Sequence, residues 1–147
     1  MNLLTQVRAY TNAEAILGFR YFLDGMFVPR LPDGASLIGY CDCFLFCYME
    51  GYQNTIFVLK NISGYGRNPV PVAYDFREFL RLIVSAGSAR AVAEAALSPE
   101  SHHSFCMLDE NDELRVFASH FSLTVVEDFH QYLQTVSRVI DCSGIRC

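Results

Sequence analysis

Tryptophan is absent from this chain and lysine nearly so: Lys60 is the single lysine beside ten arginines. Without Trp, the bulk of any core falls to twelve Phe and eight Tyr. Positive charge is scarce as well, eleven basic residues against sixteen acidic ones, for a net charge of -5. No cluster of Lys and Arg is available to displace counterions from a phosphate backbone, which argues against a nucleic-acid partner. An acidic balance fits a soluble protein or one that meets a basic partner. No apolar run approaches the ~18 residues of a membrane span, and residues 1–10 lack the basic and apolar regions of an export signal. The expectation is therefore no membrane association and a cytoplasmic location. The six cysteines are then read as reduced thiols whose default role is packing, not as three disulfides. Phosphate-loop chemistry is missing too: Gly64 and Gly66 are followed by neither a P-loop lysine nor a dinucleotide fingerprint. With no repeat, linker or low-complexity tract, residues 1–147 read as one domain, long enough to bury roughly two-thirds of its unfolded surface.

What is present is a core-rich composition, 52% hydrophobic against 18% charged, and one stretch with its own start, face and stop. In residues 71–87, PVAYDFREFLRLIVSAG, Asp75 is an N-cap and Glu78 stands three residues on, able to reach back. Tyr74 and Phe79 occupy the staple positions. Phe76, Phe79, Leu80 and Ile83 share one helical face, with Arg77, Glu78 and Arg81 elsewhere, and Gly87 is the left-handed stop. Upstream, residues 12–24 suggest a helix capped by Thr11 or Asn12 and interrupted by Gly18, and residues 25–34 a turn-rich connector. Residues 37–49 alternate with period two and are apolar on both faces, which predicts one central strand. Residues 54–60 predict a second strand, joined to it as an antiparallel hairpin. Residues 70–73, between prolines, are an entry to the helix or a short edge strand. Helices are expected over 89–97 with Ser88 as cap, over 99–108 behind Pro99, from the acidic start at 109–113, and over about 129–140, ending at Ser143 and Gly144. The whole is an α+β domain: a small antiparallel sheet from the N-terminal half packed against helices of the C-terminal half.

Few side chains suggest chemistry. Cys41, Cys43 and Cys47 share one face of a strand over 37–49. Their C-x-C-x3-C spacing spreads the sulfurs along a line instead of forming a zinc knuckle, and a fourth ligand would have to come from His102, His103 or Cys106. Core packing is the preferred reading, with a metal or thiol role the alternative. His102 and Cys106 are spaced as a pair on one helical face, but no orienting third group accompanies them. His120 and His130 lie in aromatic-rich helical segments, where packed or solvent-facing imidazoles are common. Asp109, Glu110, Asp112 and Glu113 lack the spacing of a calcium loop; they read as a solvated helix start, or functionally as a docking patch for a basic protein partner.

The order of these pieces resembles a bacterial SUKH-type protein, a superfamily that also holds yeast cell-wall glucan-synthesis regulators. The resemblance rests on LPDG at 31–34, the strand pair within 40–60, the AYDFREFLRL segment at 73–82, and YLQTVSRVIDCSGI at 132–145. It covers about two-thirds of the chain, with the loosest match at GFRYFLDG (18–25). It implies an α+β domain with no catalytic residues and no cofactor, binding a protein and most often neutralising a toxin. The expectation is thus a non-enzymatic immunity-type binding module. The alternatives are a metal- or thiol-dependent protein using Cys41, Cys43 and Cys47, or an oligomer-forming structural component.

Overall fold

A computed structural model of the chain describes residues 2–20, 31–61, 69–98 and 111–140. The helix expected over 99–108, with His102, His103 and Cys106, lies outside the described residues, as do Asp109, Glu110, residues 21–24 and the stop at Ser143 and Gly144. The described elements run α1 (Leu3–Ala9), α2 (Ala13–Leu17), β1 (Ala35–Cys41), β2 (Phe44–Met49), β3 (Ile56–Lys60), β4 (Val70–Ala73), α3 (Phe76–Ala86), α4 (Ala89–Leu97), α5 (Asp112–His120) and α6 (Phe129–Val139). Four antiparallel strands in the order β1-β2-β3-β4 form the sheet, and the helices of the second half pack on it: an α+β fold.

The single strand expected over 37–49 is instead a hairpin. Cys41 pairs with Phe44, so the chain reverses through Asp42 and Cys43, with Asp42 in the left-handed region at φ 48°. Such a turn exchanges odd and even positions between the two strands. Phe44 and Phe46 consequently face the helices together with Cys41, while Leu45, Cys47 and Met49 line the opposite face with Tyr40. Both faces are buried, and for that reason the alternation passes through the turn without a mark.

Gly39 governs how β1 meets the N-terminal segment. The pairing of β1 with β2 shifts between Leu37 and Gly39, and Arg20 then closes on Tyr40 through reciprocal backbone hydrogen bonds of 2.8 and 2.9 Å. A Cβ on Gly39 would stand 2.3 Å from Phe19 Cζ and 2.5 Å from the Arg20 carbonyl oxygen. Only a residue without a side chain permits this approach, which covers an otherwise open sheet edge. At the other edge, β4 carries Pro71, which has no N–H to offer a further strand, and α6 packs against it. Phe129 and Leu133 of α6 join the helix-side core, and Ile140 packs on the far face of the sheet.

Helix α3 follows its local signals. The Asp75 side chain accepts from Glu78 N at 2.8 Å, and Gly87 ends the helix at φ 98°. Its apolar face drives Phe79 into an aromatic cluster with ring centroids 4.8 Å from Phe46 and 5.6 Å from Phe19. Two details differ from expectation. The Glu78 carboxylate pairs with Arg81 at 2.7 Å, and the Tyr74 ring lies edge-on to Tyr132 at 5.9 Å. Ser88 caps α4 through Ala91 N, as its position implies. Helix α1 was not anticipated: Asn2 caps it by accepting from Thr5 N, and only Val7 within it is fully buried. Helix α2 stops at Gly18, short of the limit expected from 12–24.

Candidate functional site

The polar side of α3 positions the site. Arg77, Arg81 and Ser85 stand four residues apart, forming one stripe along a helix. Arg77 Nη1 donates to the Phe121 carbonyl at 3.0 Å, and Arg81 Nε to the Thr124 carbonyl at 3.0 Å. Ser85 Oγ accepts from Val126 N at 2.7 Å while donating to the Arg81 carbonyl. Residues 121–126 have no regular structure of their own, so these bonds, charge-assisted from the two arginines, supply partners that a helix or strand would otherwise provide. The end of α5 and the start of α6 are held to α3 in this way.

Helix α5 begins at Asn111, whose side chain accepts from Leu114 N at 3.1 Å, and buries Leu114, Phe117 and Ala118. At its far end, Tyr10 from the α1–α2 corner meets Phe117, His120 and Phe121 at centroid distances of 5.1, 5.1 and 5.7 Å. The corner itself turns at Asn12, in the left-handed region at φ 61°. These contacts seat the corner on α5 but leave a cleft of about 860 Å³ between them. Tyr10, Ile16, Val116 and Phe121 supply its apolar lining, His120 lies along it, and Asp112 and Glu113 line it at the N-terminal turn of α5.

Of the acidic residues singled out from the sequence, Asp112 and Glu113 thus border this cleft. Their placement in the first helical turn also complements the α5 dipole. Asp112 is bonded to Arg115 at 2.7 Å, whereas Glu113 makes no ion pair among the described residues. Val116 is the residue that sequence reasoning passed over. Lying outside the α5 core face, it is 57% exposed, and its position one turn after Asp112 was the signal.

The cysteines do not converge. Cys41 belongs to the helix-side core, Cys47 to the opposite side of the sheet and Cys43 to the exposed hairpin turn. The shared face expected for them fails because the two-residue turn reverses side-chain parity between the strands. Among the described residues, no group of three or more Cys, His, Asp or Glu stands together in a way that would hold a metal ion.

A second cleft, of about 950 Å³, lies by Cys41, Asp42, Gly18 and Arg90. Of its charged groups, Arg90 meets Asp42 at 3.0 Å and also pairs with Glu94 at 2.8 Å. Burial, and secondarily the Asp42 carboxylate, push the Cys41 thiol from 9.0 up to about 12. A thiol held protonated is a poor nucleophile. The unfolded chain releases this proton first as pH rises, so the contribution of Cys41 to stability falls with pH between 9.0 and about 12. At pH 8, iodoacetamide is expected to modify Cys43 in the native protein, with Cys41 and Cys47 reacting only after unfolding. Peptide mapping of the 41–47 region reads this directly, and early labelling of Cys41 would contradict its burial.

No helix among the described residues is long and apolar enough to cross a membrane. Comparison of the chain with family models, curated proteins and solved structures finds no match.

Proposed function

We propose that the protein is a non-enzymatic binding module of immunity type, which neutralises a toxin by seating part of it on the face formed by the α1–α2 corner and α5. The observation that carries this reading is Val116, an aliphatic side chain left in water on the wall of a cleft whose other lining groups include aromatic rings and carboxylates. Covering such a side chain is favourable, and an apolar centre with a charged rim is the anatomy of a protein interface. The acidic net charge of -5 supports a partner of opposite sign, approached by electrostatic steering. The SUKH resemblance supports the toxin-directed role. The described cysteines lend little to a thiol mechanism, because Cys41 and Cys47 occupy opposite sides of the sheet.

The test combines affinity capture from the native host with co-expression beside a toxin encoded by a neighbouring gene. A protein partner and restored growth are expected. Neither partner nor protection would end this reading.

A further inference from the structure

Resting on the protein-binding reading above, we propose that the segment received by the α1–α2/α5 cleft is a peptide stretch combining one cationic side chain with an adjacent apolar one. The apolar side chain packs against Tyr10, Ile16 and Val116, and the cation reaches Glu113.

The charge requirement follows from the pairing at the cleft mouth. Asp112 is answered by Arg115, while Glu113, the next residue and exposed, has no ion pair among the described residues. The positive end of the α5 dipole offsets part of the acidic charge of this turn. One Lys or Arg, rather than a basic cluster, is therefore the matching complement. The apolar requirement follows from Val116. Its neighbours Leu114, Phe117 and Ala118 are buried by the fold, whereas Val116 and the partly buried Tyr10 and Ile16 share the cleft wall. An occupant that brings charge alone leaves this wall wet.

A polypeptide fits better than a small charged molecule. The Glu113 carboxylate is in water, where an ion pair is screened and individually weak, and Val116 is more than half exposed. Specific binding then needs several modest contacts made together, and a cleft of about 860 Å³ holds several side chains at once. The basic side chain supplies discrimination against acidic competitors, and the apolar one supplies burial.

The experiment is selection of random phage-displayed peptides on the immobilised full chain, followed by anisotropy titration of a labelled synthetic consensus peptide. The expected consensus places Arg or Lys beside Leu, Ile, Met or Phe. Its affinity is expected to fall about tenfold in Glu113→Lys and in Val116→Asp, and to weaken as salt rises. Both positions are exposed, so these variants keep their folds, which thermal melts verify, and Val139→Asp on the exposed end of α6 is the control that leaves affinity unchanged. Failure to enrich any peptide, an acidic or uncharged consensus, or binding insensitive to both cleft variants overturns the proposal. So does a self-associated dimer that Val116→Asp dissociates, because a second copy would then be the occupant. Insensitive binding leaves the protein-binding reading standing with its partner seated elsewhere, whereas absent protection in co-expression strikes the toxin-directed role alone.

Discussion

Gly39→Ala is expected to destabilise the protein by about 3 kcal/mol, the upper part of the ordinary range for overpacking a filled site. The added methyl would meet Phe19 Cζ at 2.3 Å and the Arg20 carbonyl oxygen at 2.5 Å. Phe19 is enclosed by the rings of Phe46 and Phe79, so its rotation is transmitted into the core. The Arg20 carbonyl cannot turn away without losing its bond from Tyr40 N at 2.9 Å. Either response separates the N-terminal segment from β1 and exposes that sheet edge. Urea denaturation checks this: the midpoint should fall while the denaturant dependence is unchanged, as for a simple loss of stability. A midpoint equal to that of the parent would mean that Phe19 and Arg20 do not approach β1 as described.

Phe79→Ala should cost about 4 kcal/mol, because a buried phenyl ring is lost and a cavity remains where the sheet meets α3. Phe79 is fully buried and its ring contacts span three elements: Phe46 on β2, Phe76 on α3 itself, and Phe19 in the segment after α2. The Phe46 pair contributes about 1 kcal/mol beyond area burial. A double-mutant cycle with Phe46→Leu and Phe79→Leu isolates that share, since the two residues are in contact and their effects should not add. Full additivity would place the rings out of contact. The two losses, at Gly39 and at Phe79, concern the same junction from opposite sides, one by overfilling it and the other by emptying it.

The parts of this fold legible from the sequence are those whose cause is local. Asp75, the apolar spacing from Phe76 to Ile83 and Gly87 act within a few residues of one another, and α3 begins and ends where they indicate. The same holds for Ser88 before α4. The hairpin of β1 and β2 escaped detection for a physical reason. Register is read from a contrast between a wet and a dry face, and here both faces are apolar, so nothing distinguishes them on either side of Asp42. The Asp42–Cys43 turn also lacks the glycine that would have announced it. Gly39 did carry a readable signal, since an isolated glycine in a strand pattern implies a bulge or a close backbone approach, but its partner, Phe19, follows only from the tertiary fold.

The cleft was legible in fragments. Asp112 and Glu113 were identifiable as an acidic helix start, and Phe117 and Phe121 as its apolar continuation, but Tyr10 and Ile16 come from the opposite end of the chain. Their juxtaposition depends on the Tyr10 ring contacts with α5. Likewise, Arg77 and Arg81 could be placed off the apolar face of α3, yet their acceptors are the carbonyls of Phe121, Thr124 and Val125, more than forty residues away. Periodicity locates the face of a helix and says nothing of a distant irregular segment that will lie against it.

Hydrogen exchange on the protein with and without its captured partner locates the docking face. Binding at the cleft should slow amide exchange in the α1–α2 corner and along α5, leaving the hairpin turn at Asp42 and Cys43 and the start of α4 at their free rates. Slowing confined to the hairpin and α4, with the corner and α5 unaffected, would place the partner on the other side of α2 and rule out docking at the cleft.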